Sequence, residues 1–318
     1  MHISIITPAW NAAGHLDAAI GSVRAQTWSE WSMTVVDDGS TDGTAELARA
    51  CRDPRVAVIS QAHAGVSAAR NRGLEECAAD AVLFLDADDM LVPDALAALA
   101  RALVCAPRAV AAVGAYQRVD AAGVRPRSPA APPACGDMLE RLLVVNRYAN
   151  GGHVLIRADA ARAVGRFRSD LAFGEDWEYW VRLALLGPFA RTAGSGPVLR
   201  VRERLDGAYA GGAAHVATLR AAVDAVHSVP GLAARIGADR LRALRRRAEA
   251  ELAWIAGREL VRRGRHAEGR PWLLNSVWSA PTLRRFGLLG AAFAAPVLPD
   301  AWRGPFRSYE GVPAASAG

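Results

Sequence analysis

The chain has 318 residues, 52% hydrophobic content and a formal net charge of +6, enough for a large globular core with an appended region. All of its Lys and Arg positions are arginine, because the sequence contains no lysine. This excludes P-loop lysines, Schiff-base lysines and lysine-assisted nucleotidyl transfer. The four cysteines lack the paired spacing of zinc sites and redox couples, so we expect reduced thiols.

The first 115 residues alternate between strand-like and helix-like segments. The predicted strands are 3–6, 33–36, 56–60 and 81–85, and the predicted helices are 15–25, 44–51, 67–78 and 93–104. Such alternation predicts an α/β fold with a mostly parallel, Rossmann-like sheet flanked by helices. Further along we expect strands at 110–118, 153–156, 189–192 and 198–202, a loop at 125–135, and helices at 138–145 and from Glu175.

An acidic cluster follows the fourth predicted strand: Asp86, Ala87, Asp88 and Asp89. In an extended segment, residues two apart point the same way, so we expect Asp86 and Asp88 to project together. Mg²⁺ and Mn²⁺ prefer carboxylate oxygens, and nucleotide phosphates commonly complete such sites. The sequence therefore predicts a divalent metal held by Asp86 and Asp88, with Asp89 supporting the turn.

Polar residues follow the other strands as well, and the carboxyl ends of parallel strands share one ligand-binding crevice. Asp37 and Asp38 suit hydrogen bonds from a base or ribose, although the glycines and hydroxyls after them also have a structural explanation as a turn and helix cap. Asn11 follows the first strand. Arg70 is chemically suited to a diphosphate, although helix arginines are more often solvated or salt-bridged. His63 is expected to be a structural or peripheral contact.

In their order and spacing, segments 3–11, 35–44, 65–73 and 82–94 strongly resemble glycosyltransferase family 2 over about residues 1–205. The resemblance implies a GT-A fold and an inverting enzyme that uses a divalent metal and a nucleotide-diphosphate sugar, with a UDP-sugar as the expected donor. It places Asp38 at the base, Asp86 at the ribose or metal, and Asp88 at the metal and diphosphate. The predicted nucleotide-sugar site comprises Pro8, Ala9, Asn11, Asp37, Asp38, Arg70, Asp86, Ala87 and Asp88.

The segment 173–183 extends the resemblance into the second half of the domain. Glu175 and Asp176 open a predicted helix, where the helix dipole alone favours acidic residues. The resemblance nevertheless assigns Asp176 as the catalytic base, with Glu175 as the alternative. Two features depart from the family pattern. Arg202-Glu203-Arg204 replaces an Arg-x-His, which removes an expected third metal ligand, and the Gln-x-x-Arg-Trp of processive members is absent.

From about residue 212 the sequence turns to alanine- and arginine-rich helices. We predict a catalytic domain at 1–210, with a nucleotide-sugar half at 1–115 and an acceptor half at 116–210, then a basic helical region at 211–310 and a disordered tail at 311–318. Between Arg235 and Arg270 there are 11 arginines and five acids. This segment is either a solvated surface or a peripheral contact with an anionic membrane, helped by Trp272, Trp278 and the apolar run 286–298. Nucleic-acid binding is not expected, because the basic run has no aromatic platform.

The combined prediction is a metal-dependent inverting glycosyltransferase that adds a single sugar to a hydroxyl of a glycan or lipid-linked acceptor, as in cell-surface polysaccharide or glycoconjugate assembly. The amino terminus has no basic leader, so we expect a cytoplasmic protein, either free or peripheral on the inner face of the cell membrane. Two alternatives remain: a nucleotide-sugar-binding scaffold without catalysis, and a glycoside hydrolase with a carboxylate pair.

Overall fold

The computed structural model describes residues 1–126, 130, 133–194, 196–203, 216–262 and 264–294. They form two compact units, one of residues 1–142 and 146–203 and the other of residues 143–145 and 216–294. The predicted boundary at residue 210 and the predicted tail at 311–318 lie outside the described residues and stay predictions.

The first unit is built on a large sheet whose strands, as far as the described residues show, lie in the order β3-β2-β1-β4-β8-β6-β9. These strands are β1 (Ile3–Ala9), β2 (Trp31–Asp37), β3 (Val56–Ser60), β4 (Ala81–Phe84), β6 (Ala111–Val113), β8 (Val154–Arg157) and β9 (Phe189–Arg191). β1 runs parallel to both β2 and β4, whereas β8 is antiparallel to β4 and β6. A small second sheet contains β5 (Met90–Leu91), β10 (Pro197–Arg202) and β7 (Ala115–Val119). The mostly parallel α/β sheet confirms the predicted fold class.

The helices of the first unit are α1 (Ala13–Arg24), α2 (Thr44–Ala50), α3 (Val66–Glu75), α4 (Ala95–Cys105), α5 (Leu139–Leu142), α6 (Ala158–Val164) and α7 (Glu175–Leu186). The strands β1 and β4 are buried along their whole length, which is typical of a parallel sheet covered on both faces. α1 buries Leu16, Ile20 and Val23, the 3–4 spacing of one helix face. This packing fixes the carboxyl ends of β1, β2 and β4, where the predicted site residues lie.

Several predicted boundaries were wrong because tertiary contacts decide them. The predicted strand at 110–118 breaks at Gly114 into β6 and β7, which belong to different sheets. A Cβ on Gly114 would lie 2.3 Å from a methyl group of Val198, so glycine is required where the two sheets diverge. The strand predicted from residue 153 starts one residue later, after a 3₁₀ turn at Gly151–His153. The predictions omitted β5 and α6, and the helix expected to reach residue 145 ends at Leu142.

The second unit is helical, as predicted, with α8 (Val216–His227), α9 (Leu232–Ile236), α10 (Ala238–Arg262), α11 (His266–Ser279) and α12 (Leu283–Ala294). α11 runs back along α10, and a Cβ on Gly269 would lie 2.9 Å from the Gly257 carbonyl oxygen. Trp254, Val261 and Leu273 form a core beneath α12. Within the described part of the chain, no helix is both long and apolar enough to cross a bilayer.

Candidate active site

The acidic cluster after β4 alternates in burial, but it forms a turn rather than the expected extended segment, because the Asp89 N–H donates to the Asp86 carbonyl oxygen at 3.1 Å. Asp86 and Asp88 are half-buried, whereas Ala87 and Asp89 are buried. The Asp89 carboxylate accepts hydrogen bonds from Asn150 Nδ2 at 2.5 Å and from the Arg202 backbone N–H at 2.9 Å. Burial raises the pKa of Asp89 well above its usual value, and the charges of Asp86 and Asp88 raise it further. Asp89 therefore joins the turn after β4 to β10, and Asp86 and Asp88 are the more exposed members of the cluster.

Arg70 links the β4 cluster to the start of α7. Its buried guanidinium donates from Nη2 to Asp86 Oδ1 at 3.0 Å and from Nη1 to Glu175 Oε1 at 2.9 Å. The guanidinium carbon lies 5.4 Å from the ring centre of Phe167. Burial lowers the pKa of Arg70, but the carboxylates of Asp86, Glu175 and Asp176 outweigh burial and raise it. The two carboxylates are 16 and 105 residues away in sequence, so sequence periodicity carried no signal for this bridge.

Asp176 lies in the first turn of α7, after Gly174, whose φ of 79° is a left-handed conformation that suits glycine. Its carboxylate accepts from the Trp177 backbone N–H at 2.6 Å and from Asn146 Nδ2 at 3.2 and 3.3 Å. Burial chiefly raises the pKa of Asp176 to about 7, and the charge of Glu175 adds to this while Arg70 opposes it. Such a carboxylate can take up a proton near neutral pH. Sequence inspection did not identify Asn146, because nothing in the local pattern marks it.

Asp38, at the end of β2, is buried and surrounded by donors from the loop before α3. Its carboxylate accepts from the backbone N–H groups of Ala64 and Gly65 at 2.9 and 2.8 Å, and from Gln61 Nε2 at 2.7 Å. His63 Nδ1 lies 2.9 Å from the same carboxylate. Asp38 thus shapes the loop, and its predicted contact with a base stays a prediction.

An aromatic pair lies beside this loop. The rings of Trp10 and His63 stack with their centres 4.7 Å apart, and Trp10 remains 55% exposed. His63 is a structural contact, as the sequence predicted. Trp10 was not among the predicted site residues, although its place directly after β1 could have marked it. The exposed indole face is able to stack against a planar ligand.

Pro8, Ala9 and Asn11 lie at the same edge of the sheet. Pro8 and Ala9 are buried in the last two positions of β1, paired with Val36 and Asp37 of β2. Asn11 has a φ of 47°, and its side-chain oxygen accepts from the Thr41 N–H at 2.9 Å. The Asp37 carboxylate likewise accepts from the Ser40 N–H at 3.2 Å. The Asn11 contact joins the loops after β1 and β2, whereas the Asp37 contact lies within the loop after β2.

The donor set suits a metal ion that takes part of its coordination from a substrate. Within the described residues, no group of three or more His, Cys, Asp or Glu side chains is arranged to hold a metal. Asp86 and Asp88 supply two carboxylates, which fits Mg²⁺ because that ion is commonly bound by one or two carboxylates, phosphates and waters. Arg202 donates from Nε to the Asp88 carbonyl oxygen at 3.0 Å and so braces the backbone of this pair.

Comparison with known proteins identifies the family. The model of "Glycosyl transferase family 2" matches residues 4–165. The chain is 34% identical over 197 residues to the succinoglycan biosynthesis protein ExoA of Rhizobium meliloti, covering 58% of each chain. It is 39% identical over 93 residues to the uncharacterized glycosyltransferase YibD of Escherichia coli, covering 29% of this chain and 27% of that one. A putative teichuronic acid biosynthesis glycosyltransferase of Bacillus subtilis, TuaG, is 37% identical over 97 residues, covering 30% of this chain and 38% of TuaG. The chain thus spans less than two thirds of the length of these curated relatives.

Solved structures share the fold. Residues 1–349 of S. aureus TarS in complex with UDP-GlcNAc superpose with a TM-score of 0.58 at 14% identity, covering 93% of this chain and 92% of that one. The mannosyltransferase PcManGT of Pyrobaculum calidifontis, in complex with GDP-Man and Mn²⁺, gives a TM-score of 0.57 at 20% identity, covering 96% and 83%. These likenesses confirm the expected GT-A architecture with its C-terminal helices.

Proposed function

The chain belongs to glycosyltransferase family 2, and from that premise we propose that it is an inverting, metal-dependent transferase. It moves one sugar from a nucleotide-diphosphate donor to a hydroxyl of a glycan or lipid-linked acceptor. The observation that carries the proposal is the Arg70 bridge, which joins the half-buried acids after β4 to the acidic start of α7. A metal-and-diphosphate site and a proton acceptor are the two parts that such a transfer needs.

The donor occupies the crevice at the carboxyl ends of β1, β2 and β4 in this proposal. The exposed face of Trp10 and the loop held by Asp38 receive the nucleoside, with Pro8, Ala9, Asn11 and Asp37 shaping the pocket wall. Asp86, Ala87 and Asp88 lie at the diphosphate, and Arg70 contributes positive charge behind them. A UDP-sugar is the proposed donor, supported by the nucleotide sugars bound in the two structural neighbours.

A divalent ion on Asp86 and Asp88 would supply charge that makes the diphosphate a better leaving group. The Mn²⁺ in one structural neighbour supports this assignment. Only two protein carboxylates are proposed as ligands.

Asp176 acts as the general base. Its pKa of about 7 suits proton uptake near neutral pH. The acceptor oxygen forms its bond to the anomeric carbon while the bond from that carbon to the diphosphate breaks on the opposite face. The hydroxyl proton passes to the Asp176 carboxylate, and the nucleoside diphosphate leaves, so the anomeric configuration inverts. Asn146 and the Trp177 N–H hold the carboxylate in place, and Glu175 is the alternative base.

The acceptor is proposed to belong to polysaccharide or glycoconjugate assembly, in line with the names of ExoA and TuaG. Absence of the processive motif supports addition of a single sugar. A lipid-linked acceptor would bring the protein to a membrane, where the basic segment Arg235–Arg270 offers a peripheral contact. We accordingly propose that the protein works in the cytoplasm, at the inner face of the cell membrane.

The test is a screen of nucleotide sugars with the full chain, measuring metal-dependent release of nucleoside diphosphate and thermal stabilisation. The expected result is stabilisation by one nucleotide family and turnover that stops with a chelator. Cleavage of glycosides without any nucleotide would indicate a hydrolase instead. Nucleotide-sugar binding without turnover on any acceptor would indicate a binding protein.

A further inference from the structure

The hairpin formed by α11 and α12 carries an exposed apolar tip, defined as residues 278–286. Trp278 is 91% exposed and Leu283 is 92% exposed, on either side of the turn between the two helices. Phe286, one turn into α12, is 55% exposed, and Leu274, one turn before Trp278, is 48% exposed. Large apolar side chains exposed close together are costly in water and are typical of interaction surfaces.

The tip is also free of negative charge. The sequence has no acidic residue from 269 to 294, whereas Arg270, Arg284 and Arg285 fall in that range. Arg285 is buried and donates to the carboxylate of Glu251, so it fastens the tip to α10 and its charge is neutralised there. Arg284 is exposed, with its guanidinium carbon 5.5 Å from the ring centre of Trp254. The tip therefore combines apolar side chains with an exposed positive charge.

Two further arginines lie at the same end of the hairpin. The ion pair between Arg285 and Glu251 places the part of α10 around Glu251 against the tip. Arg246 and Arg247 lie about one turn before Glu251, roughly 6 Å along the helix axis. Both are exposed, and neither binds an acidic side chain among the residues that the structure describes. The nearby Arg245 differs, because it pairs with Asp224 and Glu249.

We propose that the tip, together with Arg246 and Arg247, docks on an anionic lipid bilayer, with Trp278 and Leu283 entering the interfacial layer. Tryptophan is favoured at that depth because its ring is apolar and its N–H remains hydrated. Exposed arginines beside the tip are attracted to anionic headgroups. An apolar tip and flanking cations of this kind are typical of peripheral membrane surfaces. The inference rests on the peripheral membrane contact of the proposed function and deepens it, because it names the side chains of the second unit that make the contact.

The test measures co-sedimentation of the full chain with vesicles of phosphatidylcholine alone, or of equal parts phosphatidylcholine and phosphatidylglycerol. We expect strong binding only to the mixed vesicles, weakening as salt rises. Replacing Trp278 and Leu283 by serine should lower the partition constant about tenfold or more. Replacing Arg246 and Arg247 by glutamine should also lower it about tenfold at low salt.

A matched control replaces Val104 and Leu186 by serine, since these are exposed apolar residues of the first unit. The control should bind vesicles like the unchanged chain. Equal binding by the tip variant and the control would overturn the proposal, as would equal binding to both vesicle types. Absence of binding to either vesicle would also overturn it, and is the outcome if residues 295–318 or a second copy cover the tip. If the unchanged chain self-associates and the tip variant does not, a second copy of the chain covers the tip. Turnover on a soluble acceptor should be unchanged in the tip variant, so this test and that of the transferase are separate.

Discussion

Replacing Arg70 by methionine should destabilise the first unit strongly, while the same change at Arg72 should not. Arg70 is buried, and its side chain pairs with the carboxylates of Asp86 and Glu175, whose side chains are 28% and 15% exposed. Arg72 lies two residues along the same helix with 44% of its side chain exposed, and it pairs with Glu75 and Glu76. The two substitutions remove the same group from the same helix, so they differ mainly in burial.

The expected cost at Arg70 follows from leaving two carboxylates without their cation. Removing one partner of a buried ion pair costs about 3–5 kcal/mol, because a charge is left uncompensated in the interior. Some solvent reaches Asp86 and Glu175, so we expect the lower end, about 3 kcal/mol. In a unit of this size that corresponds to a fall in Tm of roughly 6–12 °C. At Arg72 the surface pairs are worth below about 1 kcal/mol.

The assay is urea unfolding and thermal unfolding of both variants beside the unchanged chain. A double variant, Arg70→Met with Glu175→Gln, should recover part of the loss because it removes one of the orphaned charges. Equal stability of the Arg70→Met and Arg72→Met variants would refute the view that the buried bridge holds the two acidic segments together.

The same variant has a predicted effect on the pH dependence of turnover. Arg70 lowers the pKa of Asp176, which burial and Glu175 raise to about 7. Without the guanidinium the pKa of Asp176 should rise further, because the negative form loses the favourable charge of Arg70. The acid limb of turnover against pH should therefore move to higher pH in Arg70→Met. An unmoved limb would show that Asp176 is not the titrating base.

Three further predictions concern Asp176, Asp88 and the packing of α3. Asp176→Asn should keep donor binding and lose turnover. The folded pKa of about 7 lies above the ordinary aspartate value of 3.8, so stability of the unchanged chain should fall as pH rises between these values, and the variant should be roughly 4 kcal/mol more stable at pH 8. Asp88→Ala should abolish metal-dependent nucleotide binding in calorimetry, and equal affinity with and without chelator would contradict the metal assignment. Gly73→Ala should cost about 1–3 kcal/mol in urea unfolding, because its Cβ would lie 2.3 Å from a methyl group of Ile6; Gly14→Ala, with nothing within 4 Å, is the control, and equal costs would contradict this packing.

The unfolding midpoints of Asp176→Asn and of the unchanged chain can be compared at two pH values to check the direction of this stability difference. Near pH 4 the unchanged chain has Asp176 protonated when folded, so it should resemble the variant. At pH 8 burial of the charged carboxylate destabilises the unchanged chain, so its unfolding midpoint should lie below that of the variant. Divergence in the opposite direction would mean that the carboxylate is stabilised in its charged form.

Local patterns in the sequence were sufficient for the elements that face the site. The alternation of strands and helices up to Cys105 and the acids after β4 were predicted from period and composition, because both depend on near neighbours in the chain. The same holds for the helix that opens at Glu175. The family resemblance rested on four short segments between residues 3 and 94, which the family model covers from residue 4, and on the segment 173–183, which lies beyond the end of the model match at residue 165.

Tertiary structure decided what those residues contact. The sequence placed Asp38 at a strand end and Arg70 on a nearby helix, and the family resemblance made Asp176 the base. Only the fold joins Arg70 to Glu175 across 105 residues and Asn146 to Asp176 across 30. It likewise surrounds Asp38 with donors from the next loop. These partners depend on how helices pack on the sheet, and burial then sets which charges are neutralised and which pKa values move. The periodicity of a sequence does not indicate how helices pack or which charges become buried, since it shows only which face of its own element a residue occupies.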